Sequence, residues 1–156
     1  MAFVSPAGSQ TPNVMLGKRA EVGVITEICF GSGDFNPCVR GSFNHIVYFS
    51  DEGRIFVYED NAAGAVIEPG RRSASGIFPT PDGDRLRYKA QVTIKGNSFR
   101  LRNSLVRRDG TYYEYEFQIT ITADGCTITR YWIQVGAMER QTPVKQVCKV
   151  RNGPPH

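Results

Sequence analysis

Apolar and polar residues alternate most strictly between Leu86 and Ile94. Leu86, Tyr88, Ala90, Val92 and Ile94 are apolar, with Arg87, Lys89, Gln91 and Thr93 between them. A period of two puts one set against a dry interior and the other in water, as in a half-buried strand. Gly96-Asn97 then forms a two-residue turn. Folding on it pairs Ile94 with Phe99 and Val92 with Leu101, so the inward sets coincide while Arg100 and Arg102 face out. The next hairpin closes on Arg108-Asp109-Gly110 and pairs Leu105 with Tyr113. Tyr113, Tyr115, Phe117, Ile119 and Ile121 then line the interior. Glu116 stands opposite Arg102 with Glu114 diagonal, contacts of about 0.2–1 kcal/mol each that offset the outer basic stripe.

Beyond the turn at Ala123-Asp124-Gly125, alternation fails in Cys126–Val135. Ile128 and Trp132 fall on one face, Tyr131 and Ile133 on the other, which implies a bulge or burial on both sides. Upstream, Glu21–Phe30, Phe43–Ser50 and Arg54–Tyr58 have strand composition, the last two joined by Asp51-Glu52-Gly53. Val66–Pro69 reads as a short extended piece and Val144–Val150 as a final strand. The segment 70–84 holds Gly70, Ser73, Ser75, Gly76, Pro79, Pro81 and Gly83 and reads as the longest loop, functional or mobile. No long segment carries a 3.6-residue period, so little helix is expected.

Seven or eight strands at hairpin spacing predict an all-β, antiparallel fold. It is either an up-and-down, calycin-like barrel or a β-sandwich. The run of hairpins resembles calycin-like and other small extracytoplasmic β proteins in a general way, without a shared motif. Residues 1–19 read as an extended N-terminal arm, 20–152 as one barrel domain and 153–156 as a tail.

The 156 residues suit one domain, and 40% hydrophobic content suffices for one core. The net charge of +4 is spread thinly, the longest basic runs being Lys18-Arg19, Arg71-Arg72 and Arg107-Arg108. That pattern describes a solvated basic face rather than a specific nucleic-acid surface. No stretch approaches the ~20 apolar residues of a membrane span. Met1-Ala2-Phe3-Val4 runs straight into Ser5-Pro6, leaving no apolar core for a signal peptide. Either the chain works where it is made or a signal has been removed.

The four cysteines, Cys29, Cys38, Cys126 and Cys148, allow three pairings, or remain free as small buried hydrophobes. Local geometry favours Cys29 with Cys38 and Cys126 with Cys148. Disulfides would place the protein in an oxidising compartment, secreted or periplasmic, or in a virion or other extracellular assembly. No spacing suits a zinc site.

Candidate chemistry is sparse. The chain lacks a nucleophile elbow, a P-loop and a dinucleotide fingerprint, so neither a cofactor nor a catalytic residue is assigned. His45 shares a strand face with Phe43, Val47 and Phe49, and reads as a core or rim histidine. Asp51-Glu52 and Glu59-Asp60 sit beside turns, where acids serve geometry and solvation. If the interior is hollow, Tyr88, Phe99, Asn103, Tyr113, Tyr115 and Phe117 would line a site for a small apolar ligand; if filled, they are core. The leading expectation is a non-enzymatic binding or assembly module. It would work through its outer surface, the arm, and the 70–84 segment, with a protein partner or a second copy docking on the arm. A carrier, a virion or filament subunit, and a barrel-mouth enzyme are the alternatives.

Overall fold

A computed structural model describes residues 15–29, 38–59, 62–80, 82–137 and 139–155. The arm as far as residue 14, the 30–37 turn and the side chain of Cys29 lie outside the described residues.

Among the described residues, ten strands form two antiparallel five-stranded sheets. In chain order they are β1 Lys18–Cys29, β2 Cys38–Phe49, β3 Ile55–Glu59, β4 Ala62–Ile67, β5 Ser73–Pro79, β6 Arg85–Lys95, β7 Ser98–Arg107, β8 Tyr112–Thr122, β9 Gly125–Val135 and β10 Pro143–Asn152. One sheet runs β10-β1-β2-β3-β4 and the other β5-β6-β7-β8-β9. Each strand thus lies beside its chain neighbour, except that the ladder is interrupted between β4 and β5 and again between β9 and β10. The closed barrel is therefore corrected to the sandwich alternative. Pro69 and Pro143, which have no N–H to give a ladder, stand where the meander changes sheet.

The hairpins from Leu86 onward have the expected register. Ile94 pairs with Phe99, Val92 with Leu101, Leu105 with Tyr113 and Arg102 with Glu116. Gly96 has φ +60°, which the tight turn before Asn97 requires. In β9 the register slips by one residue, because Gln118 faces Arg130 while Ile119 faces Ile128. Thr129 is the extra residue, and past it Tyr131 and Ile133 join Ile128 on the buried side. Trp132 points outward and is buried there by other side chains. A bulge and two-sided burial both operate.

Two elements differ from expectation. Residues 73–79 form a strand, not part of a loop, and β4 begins at Ala62. Both are rich in Ser, Ala and Gly, whose weak strand propensity hides them until β6 and β3 supply partners. Those two strands account for most of the rise from seven or eight to ten.

The core lies between the sheets. Phe49 of β2 meets Phe99 of β7 edge-to-face at 5.2 Å, and both are fully buried with Val47, Val57, Leu101, Leu105, Ile119 and Ile121. Met15 is also fully buried, so the folded body includes residues ahead of β1. The end of β10 is tied to that corner: Gly153 N donates to Gly17 O at 2.8 Å. The Arg19 guanidinium donates to Asn152 O and Gly153 O at 2.9 and 3.1 Å.

A disulfide joins Cys126 of β9 to Cys148 of β10, with Cα atoms 5.5 Å apart. It crosses the interrupted ladder on that side near the start of β9, while the isolated bridge between Ile133 and Gln141 lies toward the strand's other end. Cys38 is disulfide-bonded and stands opposite Cys29 at the end of the β1–β2 ladder. No helix among the described residues is long and apolar enough to cross a membrane.

Candidate binding surface at the open sheet edge

The six residues expected to line a cavity separate into two groups. Phe99, Asn103, Tyr115 and Phe117 are buried and packed together in the core. Tyr115 and Phe117 stack at 6.2 Å, and His45 of the opposite sheet lies on Tyr115 at 4.0 Å. Asn103 Nδ2 donates to the Tyr115 hydroxyl at 3.3 Å. His45 Nε2 lies 3.2 Å from the Tyr131 hydroxyl, and burial pushes its imidazole down from 6.5 to about 3. The ring is neutral at ordinary pH, as a core histidine should be. These aromatic rings fill the space between the sheets. Tyr113 is half-buried at its margin.

Tyr88 is half-buried too and packs against the core beside Phe78, 5.9 Å away, at the edge of its sheet. It faces Gly76 across the β5–β6 ladder, close enough that a Cβ on Gly76 would stand 2.9 Å from its hydroxyl oxygen. A glycine opposite an aromatic lets the ring lie over bare backbone and close a weak edge strand. Two shallow depressions meet here. One, of about 540 Å³, runs over the outside of β5, β6 and β7, where the side chains of Ile77, Val106, Arg87, Lys89, Ser75 and Ser104 line it. The other, of about 420 Å³, lies in the gap between β4 and β5 and is lined by Val66, Glu68, Arg71, Ser73, Ser75 and Lys89. They share Ser75, Tyr88 and Lys89, so they form one band around β5.

The charge of the band is one-sided. Arg54 engages Glu68 at 2.9 Å, so the one carboxylate lining the band is already paired. Among the described residues Arg71, Arg87 and Lys89 take part in no ion pair. The two acids on β8 do not reach them. Glu114 pairs with the diagonal Arg102, its Oε1 accepting from Arg102 Nε at 2.6 Å. Glu116 accepts from Trp132 Nε1 at 3.1 Å and pairs with Arg130 at 3.2 Å. The Arg140 guanidinium covers the outer face of Trp132, 4.0 Å from the ring centroid. The expected offset of the basic stripe therefore covers β7 and β9 and leaves the β6 cations uncompensated. Sequence reasoning missed the band because it rests on β5. The available signal was the row Arg85, Arg87 and Lys89, whose strand neighbours from β5 and β7 are Pro79, Ile77, Ser75, Val106 and Ser104.

Among the described residues, no three His, Cys, Asp or Glu side chains are grouped to hold a metal ion. Comparison with known protein families, with curated proteins and with solved structures finds no match to this chain.

Proposed function

We propose that this protein is a non-enzymatic binding module working outside the cytoplasm, and that its working surface is the band around β5. The observation that carries the reading is the conjunction at that band. An apolar floor of Ile77 and Val106 lies beside cations that no described carboxylate engages. Such a surface suits an anionic partner with some apolar area, because unpaired Arg and Lys gain charge-assisted hydrogen bonds at little cost in broken contacts. Binding rather than catalysis fits a lining whose polar groups are Ser, Tyr, Arg and Lys, with its one carboxylate, Glu68, already engaged by Arg54. The disulfide supports a compartment where thiols oxidise. On this reading the part of the 70–84 segment that forms β5 supplies the working region.

The test is an amide chemical-shift titration with an alternating glutamate–valine hexapeptide, alongside its lysine–valine counterpart. The acidic peptide is expected to shift Ser75, Ile77, Arg87 and Lys89, and the double variant Arg87→Glu/Lys89→Glu to abolish those shifts. Shifts confined to another face, or indifferent to the charge reversal, would overturn the reading.

A further inference from the structure

We infer that β5 is completed by an added strand, supplied by an extended segment of a partner protein with acidic side chains at alternate positions. This rests on the band being the binding surface and adds how the partner is held there.

The backbone carries the inference. Arg72 O accepts from Val92 N at 2.8 Å, one position before Ser73 pairs with Gln91. In an antiparallel ladder, pairs that exchange hydrogen bonds alternate with pairs that do not. Arg72, Ala74, Gly76 and Phe78 therefore direct their N–H and C=O groups at β6. Ser73, Ser75 and Ile77 direct theirs the other way, toward an edge that forms no ladder with β4. Proteins usually blunt such an edge with charge, a bulge or an internal proline. Here the strand reads Ser-Ala-Ser-Gly-Ile-Phe-Pro, its register with β6 is unbroken, and its one proline stands at the far end. Ser73, Ser75 and Ile77 are all exposed. An open row of donors and acceptors of this kind is the template that strand addition uses.

Charge selects the occupant. A strand laid beside β5 at the usual ~4.8 Å spacing would sit about 10 Å from β6. Only the short Ser75 side chain stands between Lys89 and that position, because Ser75 and Lys89 are direct cross-strand partners. Arg71 borders the same gap at the β4–β5 turn, and Lys89 and Arg71 both line it. With Glu68 held by Arg54, the added strand meets unpaired positive charge at both ends of the gap. Side chains alternate along a strand, so every second residue of the partner faces those cations.

The experiment separates backbone pairing from side-chain attraction. Ile77→Pro removes an edge N–H without removing a hydrogen bond to β6, and Ile77→Val is the side-chain control. Binding of the glutamate–valine hexapeptide is expected to weaken at least about tenfold in Ile77→Pro and to stay within about twofold in Ile77→Val. Should Ile77→Pro fail to fold by circular dichroism, the unaltered protein gives an independent answer with two peptides N-methylated at alternate residues in opposite registers. One register is expected to bind like the unmodified peptide and the other to lose about tenfold. Equal behaviour of the two registers, or Ile77→Pro binding like Ile77→Val, overturns strand addition. If binding still vanishes in Arg87→Glu/Lys89→Glu, the anion-binding surface survives that result. Absence of any acidic-peptide binding sinks both. A single-stranded oligonucleotide that binds more tightly than the peptide and ignores Ile77→Pro would also overturn the inference, in favour of a general polyanion surface.

Discussion

Two buried polar side chains, His45 on the inner face of β2 and Glu116 on the outer face of β8, are partnered in different ways. His45 is held neutral between Tyr115 and Tyr131, its imidazole pushed by burial to about 3. The unfolded chain takes up a proton near 6.5 and the folded one does not until about 3, so stability is full above 6.5 and falls with pH below it. The loss approaches roughly 1.4 kcal/mol per pH unit. Between pH 6.5 and 4.5 this histidine should dominate, since the carboxylates held low, such as Glu21, start from 4.5. At Glu21 burial pushes the carboxyl up, and Arg19 and Arg151 more than reverse it. Urea melts of His45→Phe are expected to show a flat stability profile over that interval, where the parent protein declines. Glu116, on the outer face, is buried by Trp132 and accepts its indole N–H. Glu116→Gln keeps that acceptor and gives up a pair with a half-exposed Arg130, so it should cost under about 1 kcal/mol. Glu116→Leu strands the indole donor and should cost about 1–3 kcal/mol in the same melts.

The strands that could be read directly are those whose neighbours are equally regular. From β6 to β8 each hairpin is set by a glycine-bearing turn and by two inward sets that coincide in only one register, so the sequence determines pairing locally. β9 was half legible: the broken alternation announced a bulge, but its place at Thr129 follows from where Ile119 and Gln118 find partners. β5 was not legible at all. Its identity as a strand comes from β6, its open edge from the absence of a ladder to β4, and its fit from Gly76 lying under Tyr88. The binding band inherits that obscurity, since the cations of β6 mean little until their uncharged neighbours are known. The Gly76–Tyr88 fit is testable as a pair. Gly76→Val should destabilise the fold by about 1–2 kcal/mol, through its clash with the ring. Adding Tyr88→Ala should return part of that, so a double-mutant cycle in chemical denaturation should give a coupling of at least about 0.5 kcal/mol. A purely additive result would mean that the ring does not lie over the glycine.

Among the described residues the two sheets meet along two lines, and a disulfide fastens the β9–β10 one. Cys126–Cys148 closes a span of 22 residues, which in the chain-entropy view stabilises by about 3 kcal/mol. Cys126→Ser/Cys148→Ser should lower stability by about 2–4 kcal/mol, read as a shift in denaturation midpoint with an unchanged slope. The β5 side should remain as accessible as before, since it lies across the molecule from that fastening. The placement of β1 has a different kind of consequence. It is flanked by β2 on one side and by β10 on the other, with Arg19 reaching a carbonyl 133 positions further along. The β5–β9 sheet, by contrast, is assembled wholly from adjacent hairpins, whose loops close cheaply. As the chain emerges from the ribosome, that second sheet can therefore mature while β1 still waits with one side bare. The interval before β10 arrives is when the nascent protein is most exposed to mispairing with a neighbouring copy, and when a chaperone covering β1 would matter most.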